Sequence, residues 1–177
     1  MKILLLKILI IVCISIQLNA QGKIDFIMRH IEKSKSISAV SGFNTNGSYL
    51  SFGYSYFFKK NFFVDTDIHF EKGTLNLTDY SAYFIKINSN YTIYHYKKNT
   101  FINLNGGLMG GSEILNNTKL KKTNSKILYG VYFGINNETY LYKNLCLSLG
   151  INQNYILKSN LRSFYINGEL GLKYFLK

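Results

Sequence analysis

The feature that most constrains this chain is a two-residue alternation of apolar with small or polar side chains, recurring in one segment after another. Successive side chains of a β-strand point to opposite faces, so the alternation describes strands with one apolar and one polar face. In the last segment Phe164, Ile166, Gly168, Leu170, Leu172, Tyr174 and Leu176 share a face, opposed by Tyr165, Asn167, Glu169, Gly171, Lys173 and Phe175. Working upstream, Leu145 to Ile151 alternate with Asn144, Cys146, Ser148, Gly150 and Asn152. Ile127, Tyr129, Val131, Phe133 and Ile135 alternate with Gly130, Tyr132, Gly134, Asn136 and Glu138. Further runs are centred on Ile102–Leu108, Tyr83–Ile93, Phe62–Glu71 and Leu50–Phe58, and a weaker one covers Lys35–Phe43. Eight strands are predicted. The chain has no Pro, the residue a hydrogen-bonded ladder tolerates least, and it carries 15 Tyr and 13 Phe, which strands favour.

The connections repeat. Lys59-Lys60-Asn61, Lys97-Lys98-Asn99 and Tyr142-Lys143-Asn144 read as tight turns, Asn being tolerant of the left-handed backbone a short hairpin uses. Between them lie longer polar connections, Asn44–Gly47, Lys72–Asp79, Ile114–Ser125 and Lys158–Arg162. Tight turns at one end and longer loops at the other describe an up-and-down meander. With an even strand count, both termini fall at the tight-turn end.

Ahead of the strands, Lys2 and Lys7 precede an uncharged apolar run, Ile8–Ile16, and then Gln17-Leu18-Asn19-Ala20. A basic start, a short apolar centre and a small residue at the cut predict a cleaved secretory signal over 1–20. A retained anchor would need about 20 unbroken apolar residues, and Lys7 interrupts the run. Cleavage leaves Cys146 as the one cysteine, so no internal disulfide is expected. A short periplasmic leader, 21–34, then precedes a barrel over 35–177.

Which face meets water decides between a soluble and a membrane barrel. The polar face is rich in Asn, Gly, Ser and Tyr and poor in Lys and Glu, unlike a wet surface. Small and amide side chains suit the interior of an eight-stranded barrel, which is only wide enough to be filled by side chains. Aromatic residues gather beside the turns, with Tyr56, Phe57, Phe58, Phe62 and Phe63 at one and Tyr94, Tyr96 and Phe101 at the next. Such clusters predict interfacial girdles. Short periplasmic turns, longer external loops and an even strand number are the pattern of outer-membrane barrels of Gram-negative bacteria. A secreted soluble barrel is the rival reading.

Chemistry is sparse. Asp65, Asp67, His69 and Glu71 share the inward face of one strand. Alternate strand residues stand about 7 Å apart, so one metal could not be gripped by all four. A buried network with Lys86, Glu138, Glu169 and Lys173 across the lumen is expected instead, since buried charges must be compensated. His69 and His95 lack a serine in a catalytic arrangement, and His30 falls on the leader before the barrel, on a short helical or irregular stretch. No enzyme activity, metal or cofactor is predicted. Lys119, Lys121, Lys122 and Lys126 make the longest external loop basic. Outer-leaflet phosphate or nucleic acid would suit that charge, but no stacking aromatics accompany it, so a solvated loop without direct nucleic-acid binding is expected. The turn residues Lys59, Lys60, Asn61, Lys97, Lys98, Asn99, Lys143 and Asn144 are candidate contacts for periplasmic proteins.

Ile127-Leu128-Tyr129-Gly130, then Glu138-Thr139-Tyr140-Leu141 leading through Lys143-Asn144 into Leu145-Cys146-Leu147, resembles the conjugal transfer protein TraO family. Leu104-Asn105-Gly106-Gly107-Leu108 and the closing stretch Ile166–Phe175 fit the same layout. The likeness covers Phe101–Lys177 well and Ser36–Tyr96 loosely. This chain has Lys143-Asn144 where the family tends to show Asp-Arg, and it lacks tryptophan. The family accompanies conjugative transposons of Bacteroidetes. The resemblance implies an outer-membrane part of a mating apparatus, with no catalytic residues to carry over and with Glu138 as an inward carboxylate beside the periplasmic turn.

The expectation is therefore an all-β, eight-stranded antiparallel up-and-down transmembrane β-barrel. Its partners would be outer-membrane lipid and other proteins of a mating apparatus, and its role a non-enzymatic scaffold. The alternative is a general small outer-membrane surface barrel serving envelope integrity or ligand binding through Ile114–Ser125.

Overall fold

The computed structural model describes residues 30–45, 47–75, 78–96, 99–117, 122–157, 159 and 163–176. The expected signal, 1–20, and most of the expected leader, 21–34, lie outside them. Eight strands follow in chain order: β1 (Lys35–Asn44), β2 (Gly47–Lys59), β3 (Phe62–Leu75), β4 (Thr78–Tyr96), β5 (Thr100–Asn117), β6 (Lys122–Tyr142), β7 (Leu145–Leu157) and β8 (Phe164–Leu176). Each pairs antiparallel with the next, and β1 closes onto β8 from Lys35↔Leu176 to Asn44↔Asn167. Closure leaves no sheet edge along the wall, which a strand bundle in lipid requires.

The faces fall as the alternation demands. Outward stand Ile37, Phe52, Ile68, Ile85, Ile87, Leu104, Leu108, Phe133, Ile151, Ile166 and Leu172, all exposed. Inward stand Ser36, Ser51, Ser55, Asn88, Asn90, Asn103, Asn152, Asn154 and Asn167, all buried. A soluble barrel would turn these faces the other way, so the outer surface is one made for hydrocarbon.

Three of the connections are shorter than their polar sequences predict. Lys72–Asp79 is mostly ladder, since β3 runs to Leu75 and pairs Gly73↔Tyr80 and Thr74↔Asp79 with β4. Ile114–Ser125 likewise pairs Glu113↔Lys126, Leu115↔Asn124 and Asn116↔Thr123, leaving 118–121 as the connection. Asn44–Gly47 narrows to 45–46. The physical reason is that alternation records which face touches lipid, and it fades where strands rise into water on both sides. Backbone pairing does not fade there.

At the opposite end the three Lys-Asn turns share one construction. A register shift precedes each of them: between Phe57 and Lys59 in β2, Thr92 and Tyr94 in β4, and Tyr140 and Tyr142 in β6. Among the described residues only Lys33 has a positive φ outside glycine, so Asn61 and Asn144 do not use the left-handed backbone expected of them. The bulge supplies the extra residue and the twist instead. The carbonyl of each turn asparagine then accepts from the next hairpin: Asn61 O from Thr92 N at 2.9 Å, Asn99 O from Tyr140 N at 2.8 Å, Asn144 O from Phe175 N at 2.8 Å. Ser34 O takes Phe57 N at 3.0 Å in the same way. Residues 30–34 are thus stitched into the turn-end rim, where both ends of the barrel wall lie.

Candidate functional site

The lumen holds the chain's concentrated chemistry, and β3 supplies most of it. Asp65, Asp67, His69 and Glu71 point inward as the alternation requires, because Thr66, Ile68 and Phe70 occupy the outer face. Lys173 and Lys86 act on Asp65 and Asp67 as charges across the lumen, while their direct hydrogen-bond partners are amides. Asp65 Oδ2 accepts from Asn90 Nδ2 at 2.9 Å and Asp67 Oδ2 from Asn88 Nδ2 at 2.8 Å, both from the neighbouring strand β4. Glu71 accepts from Asn44 Nδ2 at 2.5 Å and Tyr80 OH at 2.7 Å, with His69 Nε2 at 3.7 Å. Glu169 accepts from Tyr49 OH at 3.0 Å. Lys86 lies over the rings of Tyr49 and Tyr132, 5.8 and 5.3 Å from their centroids, rather than against a carboxylate. Amide and phenol donors satisfy these acids because β3's nearest inward neighbours come from β2 and β4, and there only Lys86 is cationic.

The close ion pair is Glu138 with Lys173, Nζ to Oε1 at 2.6 Å, both buried. The other oxygen of Glu138 takes His30 Nε2 at 3.0 Å, so this ring nitrogen carries the hydrogen. His30 comes from the leader, which reading the sequence placed outside the barrel. It is 2% exposed and stacks on Phe101 with centroids 4.0 Å apart and an interplanar angle of 18°. Its Nδ1 meets Thr92 Oγ1 at 3.2 Å.

Around His30 stands an aromatic stopper of Phe57, Phe63, Phe101, Tyr140 and Phe175, with Cys146 against them. Phe57 stacks on Phe63 at 4.3 Å, and Lys173 Nζ lies 4.6 Å from the Phe63 centroid. This corrects the girdle: Phe57, Phe63 and Phe101 face the lumen, while Tyr56, Phe58, Phe62, Tyr94 and Tyr96 face out. Parity alone carries that signal, since Phe57 alternates with Tyr56 and Phe58 and keeps step with Ser55 and Ser51. Towards the end opposite the Lys-Asn turns stands a second apolar cluster, Ala82, Phe84, Met109, Leu128, Tyr132, Ile156 and Tyr165. Polar groups are sandwiched between two apolar layers.

At the rims, Lys59, Lys60, Asn61 and Lys143 are exposed on the turn end, Asn99 and Asn144 half-buried. Lys97 and Lys98 lie outside the described residues. Of the basic outer loop, Lys119 and Lys121 also lie outside them, Lys122 opens β6, and Lys126 is half-exposed opposite Glu113 in the β5–β6 ladder. Among the described residues no three His, Cys, Asp or Glu side chains converge in a way that would hold a bare metal ion.

No family model matches the chain, and no curated protein matches it in sequence. Its likeness is to solved structures. The N-terminal β-barrel domain of Pseudomonas aeruginosa OprF superposes with a TM-score of 0.65 at 12% identity, covering 82% of this chain and 98% of that one. Neisserial surface protein A gives 0.58 at 15% identity, covering 80% and 94%. Ail, the attachment invasion locus protein of Yersinia pestis, gives 0.57 at 14%, covering 82% and 100%, and has also been solved with the heparin analogue sucrose octasulfate. Closed topology, lipid-facing pattern and these likenesses agree: the chain has the eight-stranded antiparallel fold of small outer-membrane β-barrels.

Proposed function

We propose that this chain is a non-conducting, non-enzymatic scaffold of a Gram-negative outer membrane, and that it serves a conjugative DNA-transfer apparatus. The observation that carries the scaffold reading is the stopped lumen. His30 and the ring Phe57, Phe63, Phe101, Tyr140 and Phe175 close the turn end, and nothing the width of a nucleic acid passes them. What remains for function is a rigid lipid-embedded wall with two rims. The exposed Lys59, Lys60 and Lys143 at the periplasmic rim suit acidic partners from other proteins of the apparatus. The link to conjugation rests on the TraO-like stretches around Glu138-Thr139-Tyr140-Leu141 and Ile166–Phe175. Deleting the gene in a donor should lower mating frequency steeply, with recovery on complementation by the full-length chain. Normal transfer from the deleted donor would remove the conjugation role and leave the scaffold.

A second reading is a general surface barrel acting at its outer rim. The observation in its favour is the height of the wall on one side: β4, β5 and β6 are 19, 18 and 21 residues long, against the 9 to 11 a tilted strand needs to cross a membrane. That wall carries Lys126 and continues into the lysines at 119 and 121, and the Ail barrel was crystallised with a polysulfated ligand. Unaltered mating together with salt-sensitive heparin binding that is lost on neutralising Lys119, Lys121, Lys122 and Lys126 would select this reading.

A further inference from the structure

The wall is closed within the membrane, and one edge opens above it. At the end opposite the Lys-Asn turns, outward Phe70 pairs with Tyr83 and Tyr155 with Phe164, and with Tyr129 they mark an aromatic belt. Beyond that belt β4 and β5 stay paired on both sides to their tips, Thr78 with Leu75 and Asn117, and Asn117 with Lys122. β6 does not. Its ladder with β7 stops at Tyr129↔Leu157, whereas its ladder with β5 continues to Lys122. Residues 122–128 thus have one bonded side and, among the described residues, no strand on the other. Ser159 and Ser163, the described residues of the β7–β8 connection, do not cover that side. Ser163 O is held by Ile156 N at 2.8 Å, and Ser159 Oγ donates to Glu113 Oε2 at 3.1 Å, on the lumen face of β5.

Two backbone bonds show which groups lie along the open edge. Tyr140 N donates to Asn99 O, and the β5–β6 register runs unshifted to Asn117↔Lys122, so even-numbered residues of β6 turn N–H and C=O to β5. Odd-numbered residues turn theirs the other way. Leu157 meets those of Tyr129, but the N–H and C=O of Thr123, Ser125 and Ile127 point along an edge without a strand. Ile127 is 78% exposed against 44% for Ile135, an outward isoleucine that β7 flanks. Charge is one-sided here. Residues 122–128 hold Lys122 and Lys126 and no acid, and the chain leading into them adds Lys119 and Lys121.

We propose that the outer edge of β6 takes up an extended acidic peptide segment of a partner protein as an added antiparallel strand. Thr123, Ser125 and Ile127 supply the backbone ladder, an apolar side chain of the guest packs on Ile127, and its carboxylates meet the lysine charge. A sulfated sugar matches the lysines but not a row of alternating donors and acceptors. Lysines on an edge oppose pairing with a like strand, so they favour an acidic guest over a second copy of this basic one. The docking rests on the scaffold reading only for facing the cell exterior. Mating frequency tests that reading, and binding to the purified barrel does not depend on it.

The test uses the full chain folded in detergent micelles and a fluorophore-labelled synthetic peptide of alternating Glu and Val, followed by anisotropy. Saturable binding is expected, weakening as salt rises. Ser125→Pro removes an N–H that faces the open edge and spares the bonds to β5, a place where a strand tolerates proline; it should weaken binding about tenfold or more. Methylating the valine nitrogens of the peptide should abolish binding to the unaltered barrel, which covers the case in which Ser125→Pro fails to fold. Lys72→Gln, at the outer end of β3, should bind within about twofold of wild type. Equal binding by wild type and Ser125→Pro, or by the methylated and unmethylated peptides, overturns the proposal, as does heparin binding without peptide binding. Wild-type dimers that Ser125→Pro dissociates, with no peptide bound, overturn it in favour of a second copy.

Discussion

Glu138 joins distant parts of the chain, receiving His30 from the leader and Lys173 from the last strand. Both partners are buried with it, so replacing Glu138 by Ala leaves the Lys173 ammonium among Phe57 and Phe63 with Asp65 as its remaining counter-charge. The expected cost is about 3–5 kcal/mol, the usual penalty for breaking a buried pair from one side. Urea unfolding of Glu138→Ala in micelles measures it, and a shift under about 1 kcal/mol would mean that water reaches the pair. Adding Lys173→Met to that variant should recover part of the loss, since the buried ammonium that lost its hydrogen-bonded partner is then removed as well. His30→Ala should spare the fold but weaken the stopper, which a protection assay on neighbouring Cys146 can follow: thiol labelling of the native barrel rises. The inward direction of Glu138 and Lys173 was legible in the sequence. His30 was not, because it precedes the first alternating segment and only the closed wall shows where a residue just before β1 must sit.

Among the elements, the strand pattern was legible wherever one side touches lipid and illegible elsewhere. Phe52, Tyr54 and Tyr56 against Gly53 and Ser55 announce β2 and its faces, yet Lys72–Thr74 at the end of β3 announce nothing, although they are paired residue for residue with β4. The Lys-Asn turns show the complementary limit. Their repetition is visible in the sequence, but its meaning lies in bonds made by the asparagine backbone to the next hairpin. Asn61→Ala keeps that carbonyl, so its unfolding free energy should stay within about 0.5 kcal/mol of wild type; a loss above about 1.5 kcal/mol would assign the turn to the side chain instead. On the lipid face, Ile87 stands midway along β4 and is exposed outward. Ile87→Arg should destabilise the barrel in bilayers by about 2–4 kcal/mol. The same arginine at Asp79, near the external end of β4, should cost about 1 kcal/mol or less.

At the scale of the whole molecule, a wall of lipid-facing side chains surrounds a lumen filled in layers: aromatic stopper, polar middle, second apolar cluster. Sequence alternation discloses the wall because one period describes every strand. The layering escapes it, since Phe57, Phe101, Tyr140 and Phe175 become neighbours only when four strands curl round to meet. A barrel so filled should carry no steady ionic current across a planar bilayer. Scaffold, stopper and polar middle all require that the outward-facing belt meets lipid. The chain has no tryptophan, so a single Trp placed on that belt becomes the sole indole reporter of its surroundings. Ile87→Trp, Leu104→Trp and Phe133→Trp should each be quenched strongly in vesicles whose acyl chains carry bromine, while Lys143→Trp at the rim should not. Indole fluorescence at the three belt positions that brominated chains leave unchanged in a folded barrel would contradict the account, because those side chains would then face water.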